Sequence, residues 1–183
     1  MLRLAPGMPP TPVILGYSEA AMWLRTDPGE TIAGVVSIHG PREFGVGLPD
    51  VPRLDLILDD VELPDPADPE SLLRTHARER WAREHGLCER PPTREDAAAL
   101  VAFAHHLRGA TGIVLCHCGA GMSRAPAAAL ILLTTWHGPG SEADCVRVVR
   151  SLRPGCTPHS GLVGLADELL GRGGVLAAAL RSA

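Results

Sequence analysis

The sequence predicts an α/β fold: a single domain with a mostly parallel central sheet of four to five strands and helices on both faces. Three observations lead to it. Short apolar runs at Pro12–Tyr17, Ile32–Ile38, Leu54–Leu58 and Ile113–Cys116 alternate with segments of helical periodicity, the order that yields parallel strands covered by helices. The chain has 183 residues, enough for one core that buries roughly two thirds of the unfolded surface. Finally, the Ile113–Cys116 run leads into a glycine-containing loop and then an apolar helix, and in such sheets ligands gather at the carboxyl ends of the strands.

Taken in order, Pro12–Tyr17 is the first strand, with Ser18 as N-cap of a short amphipathic segment through Leu24. Ile32–Ile38 is the second, broken by Gly40-Pro41, and Leu54–Leu58 is the third, running directly into Asp59-Asp60. Asp68-Pro69 reads as the N-cap and first turn of an Arg- and Glu-rich helix to about His85. Its Arg74, Arg78, Arg80 and Arg83 read as a solvated face neutralised by Glu70, Glu79 and Glu84, with an anion-attracting flap as the alternative. Thr93-x-x-Asp96 has the form of a capping box. It opens a helix carrying Ala97, Leu100, Val101, Ala104 and Leu107, and Gly109 stops it. Pro126–Trp136 is apolar nearly all round, as a central buried helix is, and His137-Gly138-Pro139-Gly140 ends it. Ser141-x-x-Asp144 caps a helix with Val146, Val149 and Leu152; a last helix carries Leu162, Leu165, Ala166 and Leu169.

Composition narrows the function. A formal charge of −4 and a pI near 6.0 carry no nucleic-acid signature. All 17 basic residues are Arg; with abundant Ala, Gly and Pro this points to a GC-rich bacterial genome. Met1–Thr11 lacks a long apolar core and reads as neither signal peptide nor anchor, and the longest apolar stretch, Ala125–Leu133, is short of a membrane span. The expectation is a cytoplasmic, soluble protein with no membrane or nucleic-acid partner. Five cysteines in a chain of this length imply reduced thiols, with Cys88, Cys145 and Cys156 structural.

The chemistry concentrates in His117-Cys118-Gly119-Ala120-Gly121-Met122-Ser123-Arg124-Ala125-Pro126. Small residues let the N–H groups of positions 119 to 123 converge on one point, which also faces the amino end of the following helix. A phosphate dianion fits there. The same field favours a thiolate, and cysteines at helix amino ends can have pKa values lowered to roughly 3.5–7.5, so Cys118 is the candidate nucleophile. Arg124 adds a planar guanidinium that grips two phosphate oxygens and keeps its charge. Cys116-His117-Cys118 does not read as a zinc site, because adjacent residues cannot all converge on one ion.

His117-Cys118-x5-Arg124 resembles the signature of the cysteine-dependent protein tyrosine and dual-specificity phosphatases. Gly121-x-Ser123-Arg124-x-Pro126 and Leu165-Ala166-Asp167-Glu168-Leu169-Leu170-Gly171 are similar to small bacterial predicted tyrosine phosphatases, and the likeness covers about Pro12 to Gly171. Residues 12–171 are therefore read as a phosphatase-like catalytic domain, 1–11 as a flexible N-terminal segment and 172–183 as a C-terminal tail. The resemblance implies attack of Cys118 on phosphorus, protonation of the leaving group by an aspartic acid and hydrolysis of a phosphocysteine, without cofactor or metal. It gives His117 a hydrogen bond within the loop that helps hold Cys118 as a thiolate. It favours Asp60 as the acid, with Asp59 as alternative, while Asp65 and Asp68 read as turn residues. The expected partner is a phosphorylated protein, phosphotyrosine first, or a small aryl phosphate, because the loop lacks the Lys that phosphoinositide phosphatases of the superfamily often carry. Ala125 stands where the family usually has Ser or Thr, whose hydroxyl assists release of the thiolate, so the second step is expected to be slow. Rhodanese-type sulfur transfer and a phosphate-binding pseudophosphatase are the alternatives.

Overall fold

A computed structural model describes residues 9–26, 31–41, 50–64, 67–86 and 89–182; Asp65 and Cys88, assigned above to turn and structural roles, lie outside these residues. Four strands, β1 (Thr11–Gly16), β2 (Ile32–His39), β3 (Arg53–Ile57) and β4 (Ile113–Cys118), form one sheet in the order β1-β4-β2-β3. Every neighbouring pair is parallel. β4, last in sequence, lies inside the sheet between β1 and β2, and all of its residues are buried. An apolar run without alternation suits a strand covered on both faces. Its position carries Cys118 to the middle of the sheet's carboxyl edge, level with Gly16 of β1.

On one face α1 (Tyr17–Arg25) packs Ala20, Trp23 and Leu24 against Val13, Leu15, Val35 and Leu115. The other face, with Ile14, Val36, Ile38, Val114 and Cys116, meets α3 (Arg94–His106) and α4 (Arg124–His137). α5 (Glu142–Leu152), α6 (Ser160–Leu169) and α7 (Val175–Ser182) complete the cover. Leu130, Ile131 and Leu132 on consecutive positions of α4 are all fully buried, each stabilising the fold by about 1.5–3 kcal/mol. This explains a helix that is apolar all round. Among the described residues no helix is long and apolar enough to cross a membrane.

α2 (Pro69–Glu84) begins as expected, the Asp68 carboxylate accepting the Glu70 N–H at 2.9 Å. Its Arg74 pairs with Asp68 and Glu70 and its Arg78 with Glu89, which favours the solvated, neutralised face. The Thr93–Asp96 capping box forms, the Thr93 N–H donating to Asp96 at 2.9 Å. Two expected caps differ. α1 is capped at Gly16, whose N–H donates to Glu19 Oε2 at 2.7 Å, and Ser18 lies inside the helix. Ser141 precedes α5, but its hydroxyl turns back to donate to the Gly138 carbonyl at 2.7 Å.

The stretch 172–183, read as a tail, instead contains α7, with Leu176 and Leu180 buried. The buried Asp167 side chain organises its start by accepting the N–H groups of Gly174 at 2.6 Å, Leu176 at 2.7 Å and Ala177 at 3.1 Å. Arg172 forms a buried ion pair with Glu142 at 3.5 Å. Asp167→Ala should therefore destabilise the protein by about 2 kcal/mol or more, read as a lower midpoint in urea unfolding; an unchanged midpoint would contradict this account of α7.

Candidate active site

The loop between β4 and α4 is built on a contact between two backbones. Gly121 has φ +72°, and a Cβ on it would lie 2.5 Å from the Gly16 nitrogen and 2.6 Å from the Leu15 carbonyl carbon. Seen from the other side, a Cβ on Gly16 would lie 3.0 Å from the Ala120 oxygen. Glycine at position 121 is thus required twice, by conformation and by space. The loop rests directly on the turn from β1 into α1.

Four loop carbonyls point outward to fixed donors. Gly119 O accepts the Tyr17 N–H at 2.9 Å, Met122 O the Thr157 N–H at 2.8 Å, and Ser123 O the His159 N–H at 3.2 Å. Ala120 O accepts an Arg153 guanidinium N–H at 3.2 Å, and Arg153 is itself held by Glu19, Nη1 to Oε1 at 3.0 Å. The Arg153 hydrogen bond, then the Gly16 N–H, holds the Glu19 carboxyl below its ordinary pKa, so this brace stays charged. In a trans peptide the N–H points opposite to the preceding C=O. The N–H groups of residues 120, 121, 123 and 124 are therefore turned to the opposite side. One of them, Gly121 N–H, donates to Cys118 Sγ at 3.3 Å. The loop thus turns these N–H groups away from its bonded carbonyls, one of them to a sulfur at the start of α4, an arrangement able to take an anion.

Arg124 is 6 % exposed, and its Nη1 donates to the Leu58 carbonyl at 2.9 Å, which ties the start of α4 to the chain leaving β3. Two residues on, Asp60 Oδ1 accepts the Ser123 hydroxyl at 2.6 Å. Ser123 gives α4 no side-chain cap. Asp59 points elsewhere: its Oδ2 accepts the Arg90 N–H at 2.8 Å while its own N–H donates to Arg90 O at 2.7 Å. The structure thus brings Cys118, residues 119–123, Arg124 and Asp60 together and leaves Asp59 in a turn.

His117 departs from expectation. Side chains alternate along a strand, so it faces the α1 side of the sheet while Cys118 joins the core on the other side. Its ring is buried, and neither nitrogen has a hydrogen-bond partner, so the bond expected within the loop is not made. Burial, then the neighbouring His39, pushes its pKa down against a smaller opposing effect of Asp55, so the ring is neutral at pH 7. Burial also pushes the thiols of Cys116, Cys145 and Cys156 up, which keeps them protonated. Sequence reasoning missed Glu19, Arg153 and His159. Gly16-x-x-Glu19 was a local capping pattern that could have flagged the first, whereas the other two act across long sequence separations.

The lowered pKa of His117 has a consequence for stability. The unfolded chain binds a proton that the native state refuses, so this contribution is complete above the ordinary histidine value of about 6.5 and is lost as pH falls toward the lowered value. His117→Leu should flatten this part of the pH dependence of urea unfolding, and an identical slope in wild type and variant would contradict it.

No protein-family model and no curated protein matches the sequence. Solved structures do. The chain is similar to human DUSP28 at 22 % identity and TM-score 0.52, over 93 % of this chain and 92 % of that one. It is similar to PTPMT1 in complex with PI(5)P at 17 % identity and TM-score 0.54, over 94 % and 95 %. The Yvh1 phosphatase domain from Chaetomium thermophilum gives 16 % identity and TM-score 0.53, over 90 % and 93 %. Across nearly its whole length, the chain has the fold of the dual-specificity and protein tyrosine phosphatases.

Proposed function

We propose that the protein is a phosphomonoester hydrolase that works through a phosphocysteine intermediate, of the protein tyrosine or dual-specificity type, acting in the cytoplasm. The observation that supports this most is the 2.6 Å hydrogen bond from Ser123 to Asp60, because it sets a carboxyl on the rim of the loop that holds Cys118. A loop of N–H donors alone would serve any anion site; a nucleophile with an acid beside it serves phosphoryl transfer.

In the first step the Cys118 thiolate attacks phosphorus, the P–O bond to the leaving group breaks, and Asp60 gives its proton to the departing oxygen. The loop N–H groups and Arg124 stabilise the transferring phosphoryl group. In the second step water attacks the phosphocysteine, Asp60 takes the proton from that water, and the P–S bond breaks to release inorganic phosphate and the thiolate. No Lys stands in the loop or anywhere in the chain, which favours phosphotyrosine on a protein over phosphoinositides carrying several phosphates. A second reading, a module that holds a phosphoprotein without turning it over, is favoured by one feature: Ala125 is fully buried and brings no hydroxyl to the thiolate.

Phosphate release from an aryl phosphate separates these readings. Wild type should release phosphate and Cys118→Ser should not; binding without release in both would favour the module. Asp60→Asn should slow a poor leaving group by about 10²–10⁴-fold, roughly 3–5 kcal/mol of barrier, and an activated phenol much less. Asp59→Asn should cost far less than Asp60→Asn; the reverse order would move the acid to Asp59.

A further inference from the structure

Asp60 sits at the start of a stretch, residues 60–63, with no helix or strand of its own, so something else must hold the carboxyl in place. The stretch is docked on the amino end of α6. Glu62 accepts the Ser160 hydroxyl at 2.5 Å, and Leu63 lies against Gly161, where a Cβ would approach it to 2.9 Å. The third contact is the buried one. His159 is fully buried and its Nε2 lies 3.0 Å from the Val61 carbonyl.

The two bonds of this ring agree on one tautomer. Nδ1 accepts the Leu162 N–H at 3.3 Å and so carries no proton; Nε2 therefore carries it and donates to Val61 O. The backbone N–H of the same residue donates to Ser123 O in the phosphate loop. One residue thus grips both halves of the site, the loop through its backbone and the acid-bearing stretch through its ring. Asp60 Oδ1 is 4.0 Å from Nε2, beyond hydrogen-bond reach, so the ring acts on the carboxyl through Val61.

We propose that His159 is a positioning residue for the general acid, holding Asp60 against the phosphate loop by its Nε2–H bond to Val61 while its Nδ1 caps α6. This rests on the phosphatase reading. Two amide substitutions separate the two roles. Asn places its oxygen near Nδ1 and keeps the cap but loses the donor to Val61; Gln places its nitrogen near Nε2 and keeps that donor but loses the cap.

His159→Asn should keep a near wild-type melting temperature yet slow hydrolysis of phenyl phosphate by about tenfold to a hundredfold, the usual effect of a small misplacement. Hydrolysis of dinitrophenyl phosphate should hardly change. His159→Gln should melt lower and keep the wild-type dependence on leaving group. Nitrogen-15 histidine spectra of the wild type should show His159 as the Nε2–H tautomer. An Asn variant with wild-type leaving-group dependence, or an Nδ1–H tautomer, overturns this inference alone. Absence of any Cys118-dependent hydrolysis in the wild type overturns the phosphatase reading, and the inference with it.

Discussion

The contact of the loop backbone with the β1–α1 turn is the constraint on which the site depends. Gly121 and Gly16 approach so closely that neither tolerates a Cβ without movement, and this proximity lets the Tyr17 N–H at the start of α1 bond the loop directly while Glu19 acts on it through Arg153. Once Gly119, Ala120, Met122 and Ser123 have their carbonyls bonded outward, the planar peptide leaves the N–H groups no choice of direction. The loop is therefore organised by the protein alone, which is what the proposed stabilisation of a transferring phosphoryl group would require. Its rigidity comes from the fold: β4 lies inside the sheet, and α4 is buried on all sides.

The Asp60 side is organised differently. Asp60 hangs from an irregular stretch, linked to the loop by Ser123, to α6 by His159, Ser160 and Gly161, and through Leu58 to Arg124. Asp59 anchors the same stretch from behind through Arg90. Two adjacent aspartates thus divide the work, one pinning the turn and one meeting the loop. The Ser123 hydroxyl is given to Asp60, and position 125 offers none. In the proposed mechanism the cysteine sulfur would therefore gain no side-chain hydroxyl from Ala125 as it departs from phosphorus.

Much of this was legible in the sequence, because its signals are local. The unbroken apolar run at Ile113 marked a strand buried on both faces, Asp68 and Thr93 marked helix starts, and the small residues after Cys118 marked the tight loop into α4. The misses also have physical reasons. Ser18 has the chemistry of a cap, but Gly16 with Glu19 satisfies the first turn two residues earlier. His117 neighbours the cysteine in sequence, yet strand alternation turns it to the opposite face of the sheet. Arg153 and His159 were missed because the partners that tie them to the site, Glu19 and Ala120 for the one and Val61 and Ser123 for the other, lie far off in sequence. The helix at Val175 was hidden because Asp167 organises it from the preceding helix rather than from its own first turn.

Rapid mixing of the wild-type protein with an activated aryl phosphate tests whether this loop holds a nucleophilic cysteine whose phosphorylated form breaks down slowly. A burst of phenol close to one equivalent per chain is expected, followed by slower steady release, with phosphate found on Cys118 in acid-quenched samples. Ala125→Ser should shrink the burst and raise the steady rate. Linear phenol release with no phosphate on Cys118, in a protein that turns over, would contradict this reading.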